Sequence, residues 1–586
     1  MRNAKIVCTI GPKSDSRETL QSLANAGMSV ARMNASHGTP EHRRELIDRL
    51  REVDEATERP IAVMHDLPGP EIRTAPIDDP IHLETGSTVR FVEGTEATPE
   101  EVGISHSITA VSQGDRVLLD DGRIETTVQS VDDGVVTATV ENGGKLGARK
   151  GVNVPGVDLG LPTVTEQDQR ELEVAADKGV DFVAASFVRD GESVHEISRT
   201  LEELGADIPI IAKVERDVAV DNIDSIIDAA YGVMVARGDL GVECPLEDVP
   251  MIQKRIIRKC GDAGVPVITA TEMLDSMIEA RRPTRAEASD VANAVLDGTD
   301  AVMLSGETAM GAHPVRVVET MDRIVRDVEN SPEYRENLEQ HVPDADTPQT
   351  DALARSARYL AQDIDATAIV AASESGYTAQ KVSKFRPPIP IVGSTPNEDV
   401  RRRLALSWGI ISETAPYTTE GAGAVINNAV QTALDTNAAE SGDTVVVLSG
   451  MMTALDDSRT SNTLKIHVAA ERIGSGRSVV DGMAVGEFHW VEDGDLSGVP
   501  DGSIIGVRAA FDGSFTGNPG KIAGIIDAHH EASGNVPAVA RELETPMISR
   551  AEITEELADG DTVTLDAERG IIYRGAARGQ THDASE

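Results

Sequence analysis

Residues 208–241 read IPIIAKVERDVAVDNIDSIIDAAYGVMVARGDLG, from Ile208 to Gly241. Two short apolar runs, IPIIA and GVMVA, flank a helix-like polar stretch, the pattern of parallel strands buried on both faces. Each run ends in charge, Lys213 with Glu215 in one case and Arg237 with Asp239 in the other. Working outward, the same unit recurs: KIVCTIGP from Lys5, MSVARMNASH from Met28, IAVMHDLPGP from Ile61, VDFVAASFV from Val180, VPVITATEML from Val265 and DAVMLSGETA from Asp300. With the opening pair these make eight strand–helix units, which predicts an α/β chain built on a (β/α)8 barrel. The strand ends carry Arg32 to His37, Asp66, Ser186, Lys213, Glu215, Arg237, Asp239, Thr271, Ser305 and Glu307, and a barrel gathers such ends at one mouth.

Between the third and fourth runs lie roughly 110 residues where a βα unit needs about 30, so a segment is inserted. Its short alternating runs STVRFVEG, DRVLLDDG, RIETTVQSV and GVVTATVENG, with Asp-Gly, Asn-Gly and Gly-Gly turns, predict a small β-barrel domain over 71–155 that could close over the mouth. The catalytic barrel is then 1–70 with 156–345. A break at NSPEYRENLEQHVPDADTPQTD introduces a doubly wound α/β domain over 346–471, with strands at ATAIVAAS, IPIVGSTP, GIISETA, DTVVVLSG and TLKIHVAA. The stretch GSGRSVVDG reads as a linker, and 475–586 as a further β-rich α/β domain with runs at SIIGVRAA, TPMISR, DTVTLD and GIIYRG.

Across the 586 residues, 99 Asp and Glu oppose 54 Lys and Arg, a formal net charge of -45. That field repels phosphate backbones and anionic lipid heads, so nucleic acid and membrane partners are not expected. The acidic residues are spread along the chain, as expected of a halophilic protein whose surface repulsion is screened by concentrated salt. No apolar run approaches a membrane span and the first residues enter a strand directly, so a cytoplasmic location is expected. Cys8, Cys244 and Cys260 have neither disulfide nor zinc spacing and read as small buried hydrophobes.

Lys213 and Glu215, two apart on one strand, share a face, and Asp239 ends the next strand among glycines. Two carboxylates suit Mg²⁺ or Mn²⁺ completed by substrate oxygens, although a structural ion pair would use Lys213 and Glu215 equally well. In ARMNASHG, Arg32, Asn34, Ser36 and His37 cluster; Arg32 can grip phosphoryl oxygens, and the neutral oxygens beside it can hold a second cation. Asp66 adds a hard oxygen ligand, Arg73 a second guanidinium at the doorway to the insertion, and Thr271 a hydroxyl for a small substrate or proton relay.

The segments TIGPKS, ARMNASHG, DLPGPEIR, RKGVNVPG, IAKVE, VMVARGDLGVE, TATEMLDSM, RRPTRAEASDVANAVLDGTDAVMLSGETA and SESGYTAQKVSKFRPPIPIVGSTP, in this order over residues 1 to 470, resemble the pyruvate kinase family. The resemblance implies transfer of the phosphoryl group of phosphoenolpyruvate to ADP, giving pyruvate and ATP. It implies Mg²⁺ on Glu215 and Asp239, and Lys213 countering charge on the phosphoryl group and departing enolate. Arg32 would clamp the phosphoryl group, and Gly238, Asp239 and Thr271 would hold the substrate carboxylate. By the same resemblance K⁺ would be held by Asn34, Ser36, Asp66 and the Leu67 carbonyl, where the family usually has threonine. Asn34, His37, Arg73 and Lys150 would face the nucleotide; Pro68, in place of a common lysine, departs from the pattern there. Glu71 stands where cation-independent members carry lysine, which implies dependence on K⁺.

In the third domain Ser373, Ser375, Gly376 and Thr378 resemble a phosphate-binding turn for a phosphorylated or nucleotide effector, and an ordinary helix start is the alternative. The family is usually homotetrameric. NVPAVARELETPMIS and DGDTVTLDAERGIIYRG resemble the swivelling phosphohistidine domain of phosphoenolpyruvate-utilising enzymes, with Asn535 at the histidine position. An amide cannot pass on a phosphoryl group, so this domain is expected to be non-catalytic, and His529 and His530 to be surface residues. Two rivals remain at this stage: an Mg²⁺-dependent barrel lyase that needs no nucleotide, and a catalytically silent metabolite sensor.

Overall fold

A computed structural model describes residues 2–345, 349–418, 421–449, 461–470, 472–508, 514–528, 535–553 and 557–576. His529 and His530 lie outside the described residues. The chain forms two compact units, Met1–Asp344 with Arg401–Ile410, and Ala345–Val400 with Ile411–Glu586.

In the first unit all eight expected runs are strands of one closed parallel barrel: Lys5–Ile10, Val30–Asn34, Ala62–Asp66, Phe182–Ala185, Ile210–Val214, Gly232–Ala236, Val267–Ala270 and Ala301–Leu304. Closure pairs Lys5 with Ala301 and Cys8 with Leu304. Val30, Ala62 and Met64, Phe182 and Ala184, Ile211, Met234, and Ile268 and Ala270 supply the core cluster at period two. Helix starts follow their caps: Thr165 and Asp168 form a capping box, as do Thr284 and Glu287.

The inserted segment forms a seven-stranded sheet, with a separate two-stranded ribbon, around Phe91, Leu119, Val136 and Val140. A bridge between Thr74 and Ile104 joins its edges, helped by the Ser105 amide on the Arg73 carbonyl at 2.9 Å, so the sheet curls almost to a closed barrel.

The end of the barrel opposite its mouth is plugged by Arg401–Ile410, a segment the sequence does not single out. Leu406 is wholly buried in the barrel core. Arg402 Nε reaches Asp181 Oδ1 at 2.9 Å, Arg403 donates to the Asp207 carbonyl at 2.9 Å, and Trp408 Nε1 donates to the Tyr334 hydroxyl at 3.0 Å. Lys5 Nζ closes the plug on the Ile410 carbonyl at 2.7 Å.

The second unit contains a five-stranded sheet in the order Ile410–Thr414, Ile391–Thr395, Ala368–Ala372, Asp443–Ser449 and Thr463–Ala469. The last strand runs antiparallel to its neighbour, so the expected doubly wound sheet carries one reversed edge strand. A second closed barrel of seven strands follows. Here the linker reading is corrected: GSGRSVVDG lies largely within a nine-residue strand, Arg472–Val480, paired with Met547–Ile553 and Ile571–Arg574. Its glycines serve close packing, not flexibility. A Cβ on Gly476 would lie 2.5 Å from Ile548 Cγ2 and 2.6 Å from the Ser549 carbonyl oxygen.

Candidate active site

Extending the inward-facing register of the barrel strands by one step past the core carries each strand to its mouth residue. Val7 leads to Thr9, Val30 to Arg32, Met64 to Asp66, Ala184 to Ser186, and Ile211 to Lys213. The apolar core thus aims a polar cluster at one spot.

Lys213 is the hub of that cluster. Its ammonium lies 2.7 Å from Glu215 Oε1, 3.4 Å from Asp66 Oδ1 and 2.7 Å from Ser186 Oγ. Burial disfavours its charge, but Asp66 and Glu215 outweigh that and raise its pKa, so it stays protonated. Arg32, also buried, donates through Nε to Asp66 Oδ2 at 2.5 Å and through Nη1 to Thr9 Oγ1 at 2.9 Å. Burial pushes the Asp66 carboxyl up, and Arg32 and Lys213 together hold it below its ordinary value.

Two acids face the opposite imbalance. Burial and the neighbouring Asp239 push the Glu215 carboxyl up to about 7 against the pull of Lys213. Burial, with Asp121, Glu71 and Asp66, likewise raises Asp239. The second oxygen of Glu215 accepts the Phe187 amide at 2.5 Å. A buried, electron-rich pair of carboxylates short of positive charge is the donor set a divalent ion fits, and among the described residues no third acid, histidine or cysteine completes a cage. An ion held there would take its remaining ligands from substrate and water.

Asp239 sits in the first turn of the helix Arg237–Glu243, which starts where the sixth strand ends. Gly238 is required there because a Cβ would come within 2.7 Å of Thr271 Cγ2. Thr271 has a left-handed φ of 77°, unusual for a β-branched residue. Arg237 holds that turn, donating to the Thr271 carbonyl at 2.7 Å and the Ala270 carbonyl at 3.1 Å while anchored on Asp290 at 2.7 Å. Sequence reading marked Arg237 only as a strand-end charge. Buried Glu307 braces the same region by accepting the amides of Leu274 and Ser305.

Asn34 is in register with Asp66, and its Oδ1 accepts the Ser36 amide at 3.0 Å. Asn34, Ser36, Asp66 and Leu67 thus stand on adjoining strand ends with oxygen donors only, a set that fits a hard monovalent cation. The loop is fixed from below. Arg43 donates to the His37 carbonyl at 2.6 Å and to Glu171 at 2.8 Å, and Glu171 also meets His65 Nε2 at 3.0 Å. This buried Arg43–Glu171–His65 cluster is invisible to motif reading, because its members lie on three elements far apart in sequence.

At the doorway, Arg73 pairs with Glu71 at 2.6 Å and Lys150 with Asp120 at 2.7 Å, both cations remaining part-exposed. The His37 side chain is exposed on its loop. In the second unit, Gly376 has φ 79° and precedes the helix Tyr377–Lys384. Thr378 is already hydrogen-bonded to Ser461 Oγ at 2.6 Å, whereas the buried Ser373 hydroxyl has no hydrogen-bond partner among the described residues. Cys8 and Cys260 are buried, Cys244 is half-buried, and all three are free thiols.

Residues 1–318 match the family "Pyruvate kinase, barrel domain", 351–467 "Pyruvate kinase, alpha/beta domain" and 499–570 "PEP-utilising enzyme, mobile domain". The chain is 43% identical over 588 residues to the pyruvate kinase of Geobacillus stearothermophilus, covering 98% of this chain and 99% of that one. It is 41% identical over 590 residues to that of Staphylococcus saprophyticus, covering 98% and 100%. The Staphylococcus epidermidis enzyme is 40% identical over 588 residues, with the same coverage. Agreement of this extent, running through the barrel mouth and on past it, leaves no room for a nucleotide-free lyase: the chain belongs to the pyruvate kinase family and is a phosphotransferase acting between phosphoenolpyruvate and ADP.

Proposed function

We propose that Lys213 carries the chemistry, its ammonium countering charge on the phosphoryl group in flight and on the departing enolate oxygen. The single observation behind this reading is the placement of that ammonium, buried at the barrel mouth between Asp66 at 3.4 Å and Glu215 at 2.7 Å. Arg32 grips the phosphoryl oxygens. Gly238 and Asp239 offer backbone donors to the substrate carboxylate, with the Thr271 hydroxyl beside them. Thr271 borders the carbon that must be protonated to give pyruvate. Glu215 and Asp239 hold Mg²⁺ or Mn²⁺, which when bound supplies charge neutralisation to the enolate and phosphoryl oxygens. Asn34, His37, Arg73 and Lys150 face ADP; Arg73 and Lys150 exchange their carboxylate partners for phosphate oxygens as the inserted domain closes.

Asn34, Ser36, Asp66 and the Leu67 carbonyl hold K⁺. Glu71, a carboxylate paired with Arg73, has no ammonium to stand in for the ion. Turnover in a buffer whose only monovalent cation is tetramethylammonium is therefore expected to fall about tenfold or more, about 1.4 kcal/mol of transition-state stabilisation, and to return on adding KCl. A coupled pyruvate assay reads this, and equal rates with and without K⁺ would refute it.

The domain division we favour is 1–70 with 156–345, 71–155, 346–471 and a last domain that begins at Arg472 instead of 475, because the strand Arg472–Val480 belongs to its barrel; within 346–471, Arg401–Ile410 packs with the first barrel. Separate apolar clusters in the inserted sheet, the α/β sheet and the last barrel support it. Asn535 precedes the helix Val536–Glu542 and leaves the last domain without a phosphate carrier at that position. A chain ending at Ala470 is expected to keep kcat within about threefold of the full chain, less than 1 kcal/mol. A folded truncation without turnover would contradict the non-catalytic reading. The Ser373–Thr378 turn is our candidate seat for a phosphorylated or nucleotide effector. Among the described residues no helix is long and apolar enough to cross a membrane, and a cytoplasmic, halophilic enzyme is the reading we favour. A homotetramer, as the family resemblance implies, is the assembly we favour, and light scattering would read it.

A further inference from the structure

Ser186 is absent from the roles assigned above, yet it touches two of the groups that carry them. It follows Phe182 and Ala184 on the inward face of the fourth barrel strand and is 6% exposed. Its Oγ accepts from Lys213 Nζ at 2.7 Å and donates to the Leu67 carbonyl at 2.7 Å, with Asp66 Oδ1 at 3.5 Å. A hydroxyl has one proton, and an ammonium has protons but no lone pair to offer. Lys213 therefore donates to Ser186, and Ser186 gives its one proton to the nearer of its two acceptors, the Leu67 carbonyl at 2.7 Å against Asp66 Oδ1 at 3.5 Å.

The surroundings hold this hydroxyl in place. Gly69, in the loop that carries Asp66 and Leu67, has φ 71°, and a Cβ on it would lie 2.8 Å from Ser186 Cβ and 2.9 Å from Phe187 Cδ2. The loop is thus pressed onto Ser186 and Phe187. The Phe187 amide holds the far oxygen of Glu215, whose near oxygen pairs with Lys213. Ser186 and Phe187 therefore brace the ion pair from both ends while resting on the loop that offers a carbonyl to the monovalent cation.

We infer that Ser186 is a positioning residue that couples the monovalent cation site to Lys213, so that filling the one and placing the other are a single event. The inference rests on the roles proposed for Lys213 and Leu67. Leu67 offers its carbonyl to both the cation and Ser186, so any shift of that oxygen on cation binding is passed through one hydroxyl to the ammonium. Coupling of this kind is reciprocal: a variant that loosens Lys213 must also weaken cation binding.

Ser186→Ala removes the hydroxyl and keeps the small side chain. Without substrate, nucleotide or divalent ion, and with tetramethylammonium chloride holding ionic strength constant, KCl should raise the melting temperature of the unaltered protein. In the variant the half-point of that rise should move up about tenfold, and kcat at saturating K⁺ should fall between about tenfold and a hundredfold, with the KM for phosphoenolpyruvate within about threefold, the scale of one hydrogen bond to a charged group. Ser186→Thr keeps the hydroxyl and should bring both quantities back to within about threefold, which a merely structural role would not require. An Ala variant whose half-point is within about twofold of the unaltered protein overturns the inference, whether or not kcat has fallen. If KCl does not raise the melting temperature of the unaltered protein, or if Lys213→Met keeps its activity, the underlying roles fail instead, and the two failures are told apart.

Discussion

Replacing Lys213 by methionine is expected to lower kcat by about three to four orders of magnitude, roughly 4 to 5.5 kcal/mol of transition-state stabilisation, because a fixed charge in a dry site is worth far more than one in water. The side chain is 11% exposed, and no other lysine is seen on Asp66 or Glu215 among the described residues. Methionine fills the same volume and cannot donate. The two acids are then left with less positive charge nearby, and removing one partner of a buried ion pair is itself destabilising, so the melting temperature must be read alongside the rate. Lys213→Arg is the companion variant: it keeps the charge but replaces a compact ammonium with a planar fork, and it should also lose most of the activity while folding more stably than the methionine variant. Undiminished ATP formation by a folded Lys213→Met protein would remove the basis of the proposed residue roles.

The second large effect concerns stability. A net charge of -45 on 586 residues leaves far more carboxylates than cations to pair with them. Some acids are neutralised inside the fold, as Glu171 is by Arg43 and Asp351 by Lys384 at 2.7 Å. Many others face water: Glu18, Asp78, Asp79 and Glu96 are exposed, and no ion pair holds them among the described residues. The Debye length shrinks from about 10 Å at 0.1 M to about 3 Å at 1 M, so molar salt removes most repulsion between such groups. The melting temperature is expected to be about 10 °C or more lower in dilute buffer than in molar salt, a few kcal/mol for domains of this size. Circular dichroism on heating measures this. Because the cause is screening, tetramethylammonium chloride should stabilise nearly as well as KCl; equal melting temperatures in dilute and concentrated salt would refute the halophilic reading.

Much of the site was legible before the fold because period two is a geometric rule. Once Ile211 is inside the barrel, Lys213 must be at its mouth, and the same step links Val30 to Arg32 and Met64 to Asp66. Arg73 was legible as a doorway residue, and Glu71 and Lys150 through the family resemblance, but the pairing of Lys150 with Asp120 was not, since Asp120 lies on a different hairpin from Lys150. Ser186 was readable as a strand end only, because its meaning comes from Leu67 and Lys213, both distant in sequence. The strand Arg472–Val480 was missed for a different reason: Gly474 and Gly476 resemble flexible sequence, and only the neighbouring backbone shows that they are there to let strands approach. The reversed edge strand Thr463–Ala469 could not be read either, since an apolar run does not record the direction in which it is laid down.

The plug formed by Arg401–Ile410 bears on how the protein is made. Synthesis proceeds from the N-terminus at about 5 to 20 residues per second, and domains tend to fold as they emerge. The last barrel strand ends at Leu304, yet the buried Leu406 follows about a hundred residues later, an interval of roughly 5 to 20 seconds at that pace. Until then the nascent barrel has an unsealed apolar end. The ribosome therefore releases a barrel that has waited for part of its successor, and chaperone engagement should concentrate in that interval.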